Sequence, residues 1–300
     1  MNLVTSHWSA NAAVLAVCLA VVVVHVAGLL GLRGDARRGG AALQDGLVRE
    51  VIAFYSGLLL AALALVSPLG YFSGRFIWLR VLQDIVLGVY APPLIVLGAP
   101  WLVLWRGLGR TPRPRATTAG GPVPAGPVPP RLRSWPVAVT ALFILVWCGW
   151  YVPALYDGGV RHPVVLAAQA VTTMGVGVLF WLQLIGSRPF SPQFAPLYRV
   201  FLLAGVVLCG TILGMVLSFG ANVIYPAYIG VGSHHLLSLV FDQQAGGSEL
   251  WVLVLVPYMI AGIALLIRWL NDEESEALTL GLNRMLRPSK STWPTRTGWR

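Results

Sequence analysis

Charged residues are scarce in this chain, at 11% of 300 residues, where soluble domains carry about a quarter. With 57% apolar residues beside them, that scarcity excludes an ordinary water-soluble globule. Cysteine is nearly missing too. Cys18, Cys148 and Cys209 all fall within apolar runs, which leaves no place for a disulfide framework. They read as small packing residues, with soft ligation of Cu(I) as the sharper alternative. Also absent are a phosphate-cradling glycine loop and any CxxC, HExxH or GxSxG pattern. No nucleophile–base pair or ligand set can be assembled from what remains, so the chain reads as a non-enzyme.

What is present is apolar sequence in long runs. Stretches of about 18 or more such residues are read as membrane-spanning helices. Seven occur, over roughly 10–32, 51–69, 77–104, 135–154, 163–186, 198–220 and 250–270. The expected fold class is therefore all-α, a polytopic membrane protein built as a bundle of about seven transmembrane helices. The first run lacks the basic flank and small-residue cleavage pattern of a signal peptide and is expected to be retained. Residues 106–134, with Pro122, Pro124, Pro127, Pro129 and Pro130, read as a flexible loop. Residues 271–300 read as a tail that is acidic first and basic last.

The net charge of +10 is unevenly placed. Arg33, Arg37, Arg38 and Arg49 separate the first two spans, and Arg106 to Arg133 supply six more between the third and fourth. Arg188 and Arg199 separate the fifth and sixth, and the remaining six close the chain from the end of the seventh. The alternate segments hold only Arg75, Arg80 and Arg161. The positive-inside rule then puts the N-terminus outside and the C-terminus in the cytoplasm. Membrane lipids with anionic headgroups are the natural counter-charge, and nucleic acid is not an expected partner.

Three polar features interrupt the apolar pattern. Arg80 and Asp84 are spaced i,i+4 and so share a helix face, with Asp84 about 10 Å deep. An ionisable pair there is either a self-neutralising structural device or a functional one. Pro92-Pro93 should kink or break the same span, because proline removes a donor and crowds the preceding turn. Finally, Asp242, Gln243, Gln244, Gly246 and Gly247 lead through Glu249 to Trp251 at the expected mouth of the last span. Glycines there suit a turn at the bilayer boundary or the close approach of a partner, so this patch is the expected functional surface. Asp242 acting as a helix cap is the plainer reading.

These segments resemble the caa(3)-type cytochrome c oxidase assembly factors. The similarity is carried, in order, by Phe54–Leu69, Ala91-Pro92-Pro93-Leu94 with Leu97-Gly98-Ala99-Pro100, Leu155-Tyr156-Asp157, Phe180-Trp181, Tyr225-Pro226-Ala227-Tyr228 and the Asp242–Trp251 patch. The resemblance implies a non-enzymatic role in maturing cytochrome c oxidase in a prokaryotic cell membrane, with oxidase subunits as partners and its copper centre as the object. Members carry an HxxxH pair where this chain has Arg80 and Asp84, and an HxxEH-like set where it has Leu166, Gln169 and Ala170. Arginine, leucine and alanine cannot ligate copper as imidazole does. Copper as a cofactor is thus open, with His162, His234 and His235 as substitute donors on the outer loops. A metal-free scaffold of the same fold is the alternative. A small-ion permease, with Arg80 and Asp84 lining its path and the Pro92-Pro93 break as gate, is a third.

Overall fold

Inside hydrocarbon a backbone amide has no water to bond, so long apolar segments must satisfy their own N–H and C=O groups as helices. The computed structural model describes residues 12–39, 46–110, 135–190, 192, 194–231 and 238–286. Their elements are α1 (Ala12–Gly39), α2 (Leu47–Val66), α3 (Pro68–Phe72), α4 (Ile77–Ile85), α5 (Ala91–Leu97), α6 (Trp101–Gly107), α7 (Trp135–Trp150), α8 (Pro153–Arg161), α9 (Pro163–Ile185), α10 (Pro196–Phe219), α11 (Leu239–Val252) and α12 (Leu255–Leu286). Among the described residues there is no β-strand. Among the described residues six segments are long and apolar enough to cross a membrane, or seven if the pair α7–α8, bent by 64°, counts as one. The all-helical membrane bundle expected from the apolar runs is what forms.

Several expected boundaries shift. The third run does not continue to residue 104: the segment ends at Leu97, and α6 lies antiparallel against α1. Gly98, Ala99 and Pro100 make the turn, with Ala99 at φ 42°, a conformation that costs a non-glycine residue about 1 kcal/mol. Close backbone approach holds α6 in place, because a Cβ on Gly107 would sit 1.9 Å from the Val24 carbonyl oxygen and one on Gly28 would sit 2.0 Å from that of Val103. The stretch 111–134 of the expected loop lies outside the described residues. The expected tail is helical through Leu286, as a continuation of α12, and residues 287–300 lie outside the description.

Pro92-Pro93 do not break the third segment. A π-helical turn, Val86–Tyr90, precedes them, and Ala91 opens α5 with both prolines in its first turn. The wider turn absorbs the missing donor and the ring, as single π-turns in helices do. It also shapes the packing. A Cβ on Gly88 would meet the Trp147 ring at 2.4 Å, and one on Gly177 would meet the Gly88 carbonyl oxygen at 2.7 Å and Pro92 at 2.9 Å. The prolines thus seat α9 against the turn, and the expected gate is a continuous, packed helix.

The last segment is longer than expected. It runs from Leu239 to Ser275, about 56 Å at 1.5 Å per residue, against about 30 Å of hydrocarbon. Its first half, α11, packs between α4 and α10. Polar sequence is tolerated there because both neighbours offer partners.

Candidate functional site

The centre of the bundle is built on α4, whose buried face carries Arg80, Gln83 and Asp84. Arg80 is 0% exposed. Its Nη1 donates to the Tyr156 carbonyl at 2.7 Å and to the Tyr228 hydroxyl at 3.3 Å. Its Nη2 donates to Oε1 of Gln169 on α9. Gln169 then donates through Nε2 to Asp84 Oδ2 at 2.7 Å. The expected Arg80–Asp84 pairing is therefore indirect, since the two make no ion pair within 4.0 Å. An amide offers one acceptor and one donor end, so Gln169 can accept from the guanidinium and donate to the carboxyl group at once. Gln83 reaches the other way, donating to the Ala64 carbonyl of α2 at 2.8 Å.

Aromatic rings enclose the guanidinium. Its carbon lies 4.0 Å from the centre of the Tyr156 ring, a cation–π distance. Tyr156 stacks on Tyr151 at 5.5 Å and meets the tilted Tyr225 ring at 4.2 Å. Tyr225 donates to the Tyr151 carbonyl at 2.9 Å, and Tyr228 to that of Ser73 at 3.3 Å. Burial pushes the Tyr225 and Tyr228 hydroxyls up, so both remain neutral donors. Space for the guanidinium depends on Gly159 of α8, where a Cβ would lie 2.1 Å from Arg80 Nη2. Tyr156, Gly159, Tyr225 and Tyr228 were not read as site residues from the sequence. The three tyrosines lie in the Leu-Tyr-Asp and Tyr-Pro-Ala-Tyr stretches, whereas nothing in the sequence singled out Gly159.

The Asp242–Trp251 patch is not a turn at the membrane boundary. It is helix α11, with Asp242 and Gln243 both 0% exposed and Gly246 and Gly247 buried. Asp242 accepts from the Ile77 N–H at 2.9 Å and the Trp78 N–H at 3.0 Å. It therefore caps α4, whose own cap position, Phe76, supplies no side-chain acceptor. Gln243 accepts from Ile224 N–H at 2.8 Å and donates to the Asn222 carbonyl, while Gln244 donates to that of Gly220. The glycines serve helix contact: a Cβ on Gly246 would lie 3.2 Å from Trp78 Cα, and one on Gly247 2.5 Å from the Ser218 nitrogen. Trp251, at 38% exposure, is the outward-facing member. Asp242→Ala should cost on the order of 1–2 kcal/mol, as loss of a helix cap does, read as a lower melting temperature in detergent. An unchanged melt would mean that α4 needs no cap.

This donor set is a poor match for copper. Among the described residues the centre offers a guanidinium, an amide, tyrosine hydroxyls and the Asp84 carboxylate, with the buried Asp157 carboxylate near Tyr225 and neither imidazole nor thiolate. Among the described residues no three His, Cys, Asp or Glu side chains gather as a metal site. His162 is exposed at the end of α8. His25 is buried, stacked on Phe54 at 4.4 Å and hydrogen-bonded to Tyr55 at 3.1 Å. Cys18, Cys148 and Cys209 are free thiols. His234 and His235 lie outside the described residues. The residues at the centre do not fit copper.

Fold and centre together define a multi-span helical membrane protein with a buried, hydrogen-bonded polar core. The chain belongs to the cytochrome c oxidase caa3 assembly factor family, which matches residues 23–272. Uncharacterized proteins of Mycobacterium bovis and Mycobacterium tuberculosis are each 26% identical over 293 residues, covering 91% of this chain and 41% of theirs. One of Mycobacterium leprae is 24% identical over 280 residues, 90% of this chain and 40% of its own. The chain thus spans about two fifths of the length of these relatives. No solved structure matches it.

Proposed function

We propose that this protein is a non-catalytic assembly factor for cytochrome c oxidase in a prokaryotic cell membrane, acting as a metal-free scaffold that holds an oxidase subunit. Arg80 carries the reading. Its guanidinium fills the polar centre and is held there by Gln169, Tyr156 and Tyr228. A fixed organic cation in that place gives a bound metal cation neither room nor ligands, and it makes the centre a lock between α4, α8 and α9. Handing copper to the oxidase then falls to another component, while this chain positions the recipient. The test is metal analysis of detergent-purified protein together with co-purification from its native membrane. The expected result is an oxidase subunit retained with copper well below one equivalent. Copper at near-unit stoichiometry would overturn the scaffold reading, and a chain that captures no oxidase subunit would overturn the assembly role.

The same proposal includes orientation, with the N-terminus outside and the arginine-rich end of the bundle in the cytoplasm. Asn222 and Asn271 are both exposed. They lie toward opposite ends, because α10 leads from Arg199, beside Arg268, up to the turn that carries Asn222. Single cysteines at these positions should label from opposite sides, Asn222→Cys from outside. Labelling of both from one side would overturn the arrangement.

A further inference from the structure

Between α12 and the pair α5–α9 lies a groove of about 270 Å³ that opens to the outside of the bundle. Pro93, Leu97, Trp181 and Leu184 form one wall. The other is a single stripe of α12 from Pro257 through Ala264 to Arg268. From Pro257 to Arg268 is about 16 Å along the helix, roughly half of a 30 Å hydrocarbon core. The groove is therefore apolar over the depth of one leaflet and ends on an arginine.

A second arginine stands behind the first. Arg199 is only 8% exposed. It spends Nη1 on the Leu184 carbonyl at 2.9 Å and leaves Nε without a partner. Arg199 and Arg268 are close enough for their charges to repel, and Asp272, one turn beyond Arg268, offsets that only from a distance. Among the described residues neither arginine makes an ion pair within 4.0 Å. One cation at the end of an apolar slot, with a second buried behind it, calls for a molecule that is anionic at one end and apolar along the rest.

We infer that this groove binds one anionic phospholipid, with an acyl chain along the α12 stripe and the phosphate on Arg268, backed by the charge of Arg199. A phosphatidylcholine would bring its own cation to the same arginines and lose most of the attraction. Basic pockets between helices at the cytoplasmic side of a membrane hold anionic headgroups on the same grounds. The site lies in the opposite half of the bundle from the Arg80 centre and does not depend on the reading of that centre.

The test uses the full chain in detergent, titrated with phosphatidylglycerol, phosphatidylcholine or inorganic phosphate and followed by native mass spectrometry and thermal melting. Phosphatidylglycerol should persist as a single adduct and raise the melting temperature, and phosphatidylcholine should do so far less. Arg268→Gln should lower the preference for phosphatidylglycerol about fivefold, the effect of one arginine near a membrane surface. Ala264→Trp, which fills the groove and keeps both charges, should remove the adduct. Arg188→Gln, at an arginine that pairs with Glu50 outside the groove, should leave it intact. Equal retention of both lipids would overturn the proposal. So would an equal effect of inorganic phosphate, an Arg268→Gln variant with undiminished preference, or loss of the adduct on Arg188→Gln.

Discussion

Replacing Arg80 with leucine should lower the unfolding free energy by on the order of 3–5 kcal/mol, the usual cost of leaving a buried charge without its partner. The expectation follows from the chain Arg80–Gln169–Asp84. Without the guanidinium, Asp84, at 4% exposure, keeps the Gln169 amide and the nearby Tyr151 hydroxyl but no cation. Gln169 Oε1 and the Tyr156 carbonyl lose their donor as well. Removing both charges in Arg80→Leu/Asp84→Leu should be milder, because two unpaired polar neighbours cost less than an unpaired charge. Thermal unfolding in detergent and the amount of protein in the membrane are the readouts. If the double variant is as unstable as the single one, charge compensation across Gln169 is not what Arg80 provides. A protein that gains stability on Arg80→Leu would rule out the lock altogether.

Gly247→Val should damage the protein by a different route. Its Cβ would lie 2.5 Å from the Ser218 backbone nitrogen and 2.8 Å from the Gly214 carbonyl oxygen. Backbone atoms cannot rotate away, so α11 must lift off α10. Overpacking of this kind costs about 1–3 kcal/mol and occasionally more. The lift also loosens Asp242 from the N-terminus of α4 and so propagates to the centre. Gly205→Ala on α10, where a Cβ meets nothing within 4 Å, is the control and should be close to neutral. Oxidase activity in cells, scored beside protein level, separates packing from recognition. Because Gly247 is buried, activity should fall in step with abundance. Activity lost at normal abundance would mean that α11 contacts the partner directly.

Much of the architecture was legible from composition. Apolar runs of bilayer length leave helices as the only way to satisfy the backbone, and the ordered stretches from Phe54 to Trp251 resembled the family that matches the chain. The places that misled are specific. Pro92-Pro93 suggested a break, but proline chemistry does not say whether the lost bond will be absorbed by a π-turn or by an opening. The Asp242–Glu249 stretch suggested a loop because its polarity looks unaffordable inside a bilayer. That judgement changes only when α4 arrives with two uncapped N–H groups and the turn before α11 arrives with Ile224 N–H.

Arg80, Asp84 and Gln169 show the division most clearly. The sequence by itself determined that these three were polar, that the first two shared a face, and that all three stood inside apolar spans. It could not determine that Gln169 lies between the others, because 85 residues separate it from Asp84 and no local pattern encodes that distance. Nor could it turn Gly159 and Tyr156 into the floor and face of a guanidinium site. Helix identity is set by short-range sterics and by the solvent, and both act on each segment alone. The partner of a buried charge is set by which helices pack together, and only the tertiary structure decided that.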